Sequence, residues 1–77
     1  MTTAEITQRY RYDHRLTLQA FADALSANGE HVSKMAVKYW QDDVYNPDRK
    51  FLARTVANFP EGDWRHDWAF EVLQAIQ

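Results

Sequence analysis

Apolar residues recur every three to four positions through most of this chain, and only two glycines and two prolines punctuate its 77 residues. Strands joined by tight hairpins need more punctuation than that, whereas an amphipathic helix needs none inside it. The spacing predicts an all-α domain. In LTLQAFADAL (16–25), Leu18, Phe21, Ala22 and Leu25 share one helical face. Thr17 stands where an N-cap hydroxyl belongs, and Leu16 with Phe21 has the spacing of a hydrophobic staple. VSKMAV repeats the same start: Ser33 caps, Val32 precedes it, and Val37 supplies the apolar partner.

A further helix is expected in PDRKFLARTVANF (47–59), entered through Asn46, Pro47 and Asp48 and burying Phe51, Leu52, Val56 and Phe59. Pro60 and Gly62 end it. The last helix is expected over residues 63–76, with Trp64, Trp68, Val72 and Ile76 spaced by four. Asp63 and Asp67 fall in its first turn, where negative charge suits the helix dipole. The N-terminus carries two patterns. Thr2 and Glu5 have capping-box spacing, yet RYRYDHRL (9–16) alternates polar and apolar as a strand would. A short helix over about 3–12 is the favoured reading. Together these segments make one small five-helix domain spanning 1–77, with Leu18, Phe21, Leu25, Val37, Trp40, Phe51, Leu52 and Val56 in its predicted core.

Cysteine is absent, which excludes disulfides and thiolate zinc sites. The opening residues lack the pattern of a signal peptide, and no apolar run approaches a membrane span. A soluble, cytoplasmic protein with no membrane partner is expected. His14, His31 and His66 share no ligand spacing, and Asp63, His66 and Asp67 on one helix edge read as a solvated face. No nucleophile elbow, phosphate loop or metalloprotease signature occurs, so neither enzyme, metal nor cofactor is predicted.

The segment VSKMAVKYWQDD (32–43) carries the strongest functional signal. On a helical wheel Ala36, Val37 and Trp40 point one way, while Lys34, Met35, Lys38 and Tyr39 point the other. Cations can meet phosphates or guanine edges in a major groove, and a thioether or phenol ring can touch a thymine methyl. A Lys-x-x-x-Lys face is more often plain solvated surface, but such a face seldom also exposes Met and Tyr. The net charge of −2 counts against DNA, although residues 1–54 hold eight basic against seven acidic side chains. Asp42 and Asp43 are unwelcome near phosphate. Asp tolerates the left-handed backbone of a helix exit, so Asp43 has a structural reading, and Asp42 can pair with Lys38.

From Leu16 to Phe59 the chain resembles the phage-repressor, Cro/cI-type (XRE) helix-turn-helix family, with the motif over 16–41. LTLQAFADAL is similar to that family's first motif helix, VSKMAVKYW to its recognition helix, and WQDDVYNPDRKFL to its exit into the next helix. The resemblance implies a lambda-repressor-like fold and base contact by Lys34, Met35 and Tyr39, supported by Lys38. It further implies phosphate contact by Ser33 and Thr17, with Gln19 standing in for a family glutamine whose place Leu18 takes. The motif turn is about five residues longer than the family's, as SANGEH (26–31), and is expected to be a tolerated surface insertion.

Double-stranded DNA is the expected partner, and a DNA-binding regulator of phage or mobile-element type the expected function. The alternative is a protein-interaction module on the same frame, such as an antirepressor or small phage inhibitor. The apolar band of the last helix is broad, so Trp64, Trp68, Phe70, Leu73 and Ile76 are expected to form a homodimer interface.

Overall fold

The structure, a computed structural model, describes residues 1–76. Five helices follow one another: α1 (Thr3–Asp13), α2 (Leu18–Ser26), α3 (Lys34–Gln41), α4 (Arg49–Asn58) and α5 (Trp64–Ala75). No strand occurs among the described residues, and none of their helices is long and apolar enough to cross a membrane. Every helix begins on a side-chain cap. Thr2 Oγ1 accepts from Glu5 N–H at 3.2 Å, and Glu5 Oε1 accepts from Thr2 N–H at 3.1 Å. That reciprocal box overrides the alternating pattern of 9–16 and carries α1 to Asp13. Thr17 and Ser33 accept from Ala20 and Ala36 N–H, as Asp48 and Asp63 do from Lys50 and Arg65. Each such cap contributes about 1 kcal/mol.

Two helices leave through a residue in the left-handed region, Arg15 (φ 53°) after α1 and Asp43 (φ 63°) after α3. Both ends close in the Schellman pattern. Leu16 N–H donates to Arg11 O at 2.8 Å and Arg15 N–H to Tyr12 O at 3.1 Å; Val44 N–H donates to Tyr39 O at 2.9 Å and Asp43 N–H to Trp40 O at 3.3 Å. Asp43 therefore has the structural role that its chemistry suggests.

Helix α2 packs on α3, α4 packs on α5, and α1 lies against both α3 and α5. Phe21, Leu25, Val37, Leu52, Trp68 and Val72 are fully buried where these helices meet. Trp40 and Phe51 join them, but Leu18 and Val56, expected inside the core, are only half-buried at its edge. Ile6 and Thr7 bring α1 into the same core. Trp68 Nε1–H donates to Thr7 Oγ1 at 3.1 Å, which satisfies both buried polar groups. Arg9 and the Tyr10 hydroxyl both donate to the Glu71 carboxylate, tying α1 to α5 at the surface. Burial, with the bond to Glu71 adding to it, pushes the Tyr10 phenol up to about 12.

The turn between α2 and α3 departs from expectation. It is not a loose surface insertion. Ser26 Oγ accepts from Val32 N–H at 3.0 Å and closes the loop at its mouth. Inside it, Asn28 is buried; its Nδ2 donates to Thr55 Oγ1 at 3.1 Å, while its Oδ1 accepts from Asn58 Nδ2. Glu30 pairs with Arg54 at 3.0 Å. Residues of the turn thus pin it to α4, and Gly29 at φ 86° supplies the reversal that lets Asn28 point inward.

Candidate nucleic-acid interface

Helix α3 presents two different faces because its sequence alternates them at helical spacing. Val37 and Trp40 are buried, Ala36 is half-buried, and Lys34, Met35, Lys38 and Tyr39 are all exposed. The Ser33 cap sets where the helix begins, and so which residues face outward.

The outward face is not evenly charged. Lys38 Nζ lies 2.8 Å from Asp42 Oδ2, and that carboxylate offsets one of the two cations. Lys34 takes part in none of the ion pairs found among the described residues. Beside the lysines runs an apolar strip. Met35 is 44% exposed and Tyr39 37%, and the chain just beyond the helix adds Val44 at 63% and Tyr45 at 49%. The rings of Tyr39 and Tyr45 stand 5.6 Å apart. Tyr45 also walls a groove of about 250 Å³ that reaches in toward Val32, Ala36, Trp40 and Phe51.

Sequence reasoning missed Val44 and Tyr45. Their signal was the pair of apolar residues inside an otherwise polar helix exit, DDVYNPD (42–48).

Of the remaining candidates, Ser33 lines the same groove as Tyr45, while Thr17 and Gln19 belong to the start of α2. Thr17 and Ser33 are exposed, but each hydroxyl is engaged as a cap, leaving its own O–H free to donate. Gln19 is exposed on α2, and its Nε2 donates to Asp23 Oδ1 at 2.8 Å, so a carboxylate sits beside it.

The α5 residues expected at a dimer interface mostly serve the domain's own core. Trp68 is fully buried, edge-on to Phe21 at 5.5 Å and tilted against Trp40 at 5.5 Å. Trp64 lies half-buried on Phe21 at 4.7 Å and His14 at 5.7 Å. Leu73 and Ile76 are half-buried against the same core. Phe70 alone of the five is exposed, at 48%, with its ring parallel to that of His66. Five short helices cover more aromatic surface than the breadth of the α5 band suggested.

Near the start of α5, Asp63 binds Arg65 through both oxygens, at 3.0 and 2.6 Å, and that pairing holds its carboxyl below the usual range. Arg65 also lies 3.9 Å over the Phe59 ring and donates to Ala24 O at 3.2 Å. This cluster locks α5 to α2. Among the described residues no three His, Asp or Glu side chains gather as a metal site would require. Comparison with protein-family models, curated proteins and solved structures finds no match to the chain.

Proposed function

We propose that this chain is a sequence-specific double-stranded-DNA-binding regulator that lays the outward face of α3 in a major groove. One observation carries the reading: all four α3 side chains suited to groove contact, Lys34, Met35, Lys38 and Tyr39, stand exposed together on one helix. The α2–α3 pair, with both helices capped by hydroxyl residues, agrees with a helix-turn-helix of the phage-repressor kind. Free lysine at the start of α3 and an ion-paired lysine one turn later favour docking by the N-terminal half of the helix. A second copy would double a small set of phosphate contacts, and Phe70, the exposed aromatic of α5, is the side chain that would anchor it.

The test is retention on random duplex DNA as salt rises. The Lys34→Ala, Lys38→Ala double variant binds more weakly, with a salt slope reduced by about 0.9 for each phosphate it no longer neutralises. Equal binding by parent and double variant at every salt concentration removes α3 as the interface.

A second reading has its own support. Val44 and Tyr45 extend the apolar strip beyond what a groove-bound helix needs, and Asp42 and Asp43 stand beside it. A protein-interaction module on the same frame would use that strip, and such a module would show no retention on DNA.

A further inference from the structure

Two rows run side by side along the outward face of α3. Lys34, Lys38 and Asp42 form one, spaced by four, and Met35 with Tyr39 forms the other. The Tyr45 ring and Val44 prolong the second row past the helix end. Exposed apolar side chains gathered in this way mark a surface that something covers. Whatever covers it also meets Lys34 and the Lys38–Asp42 pair along its flank, a single net positive charge set at the start of the helix, which suits an anionic partner carrying small apolar groups.

A major groove offers that combination at one base only. Every base pair presents polar edges, but thymine alone adds a C5-methyl group, and phosphates flank the groove on both sides. Met35 and the face of Tyr39 make no directional demand on a polar edge, whereas each gains by burying a methyl.

We infer that Met35 and Tyr39 read thymine through its C5-methyl group, so that this chain prefers duplexes with thymines under the apolar row. The inference rests on the DNA-binding reading and specifies its target. Lys34 and Lys38 supply attraction that is blind to sequence, and the apolar row supplies the preference.

The experiment uses the full chain and a duplex enriched by it from a random pool. The same duplex is then made with deoxyuridine in place of thymidine, which deletes the methyl and keeps the O4 acceptor. The parent protein is expected to bind the uridine duplex about fourfold more weakly for each methyl contacted, the value of one buried carbon. The Met35→Ala, Tyr39→Ala variant is expected to bind the two duplexes alike. Both residues are exposed, and its circular dichroism should match the parent's. The Lys34→Ala, Lys38→Ala variant weakens binding to both duplexes and keeps their ratio. Equal affinity of the parent for the two duplexes overturns the inference while leaving DNA binding intact. An unchanged ratio in the Met35→Ala, Tyr39→Ala variant overturns the assignment to these residues. Failure to enrich any duplex overturns the DNA-binding reading, and this inference with it.

Discussion

Lys38 and Asp42 form an ion pair at 2.8 Å across one turn of α3, both side chains roughly half exposed. A surface pair of this kind is worth well under about 1 kcal/mol to folding. Its importance is electrostatic, because the carboxylate offsets a cation on the face proposed to meet DNA. Asp42→Asn should leave thermal stability within about 0.5 kcal/mol of the parent. Affinity for duplex DNA should rise, with a salt slope steeper by about 0.9. Binding isotherms at several salt concentrations decide this, and an unchanged slope would place DNA away from the second half of α3.

Asp43 occupies a left-handed position at φ 63°, where a glycine has no steric cost. Asp43→Gly should stabilise the fold by up to about 1 kcal/mol, and Asp43→Val should destabilise it by more than that. Urea midpoints of the two variants would reverse this order if the exit from α3 were not what fixes the residue.

Asn28 is the buried hinge pin of the α2–α3 turn, hydrogen-bonded to Thr55 and Asn58. Asn28→Ala should cost about 1–3 kcal/mol, the range for leaving a buried polar partner unsatisfied. Gly29→Ala should be similarly harmful because of its φ of 86°, although no atom lies near enough to clash with an added methyl. Chemical denaturation measures both. A neutral Asn28→Ala would return the turn to the status of a loose insertion.

The Tyr10 phenol is raised to about 12 from an ordinary value of 10.0. The folded state therefore keeps a proton that the unfolded chain gives up. Its contribution to stability is fully present below pH 10, and it is lost progressively as pH rises toward 12. Tyr10→Phe should flatten the alkaline limb of a stability-against-pH curve. The same slope in both proteins would assign that limb to other groups.

Trp68 and Phe70 are two residues apart on α5, one fully buried and the other exposed. Trp68→Ala should cost about 3–5 kcal/mol, whereas Phe70→Ser should barely move the melting temperature. Sedimentation of the parent and of Phe70→Ser at micromolar concentration tests the second copy. A parent that is monomeric throughout leaves Phe70 as plain surface.

Much of the fold is legible in the residues themselves. The Thr17 and Ser33 caps, the inward Val37 and Trp40, and the left-handed Asp43 all follow from local chemistry, which a short window of sequence contains. The fate of the α5 aromatics does not follow. Spacing alone gives the breadth of an apolar band, but what covers Trp64 and Trp68 is Phe21 from α2 and Thr7 from α1, more than forty residues away in the chain. The docking of Asn28 onto α4 is hidden for the same reason, since its partners Thr55 and Asn58 lie 27 and 30 residues further along the chain and are polar, so apolar spacing does not mark them. On the outward side of α3 the four exposed side chains can be read directly, and their extension through Tyr45 cannot, because an irregular segment has no period.

The rings of Trp64, Phe21, Trp68 and Trp40 form an unbroken series with centroid separations of 4.7, 5.5 and 5.5 Å. Trp68 and Trp40 are indoles 5.5 Å apart, close enough for excitation to migrate between them, so their ultraviolet emission is shared and belongs to neither ring alone. The protein thus carries an unlabelled gauge of its own interior: emission from these indoles reports whether the frame beneath the outer face of α3 is intact.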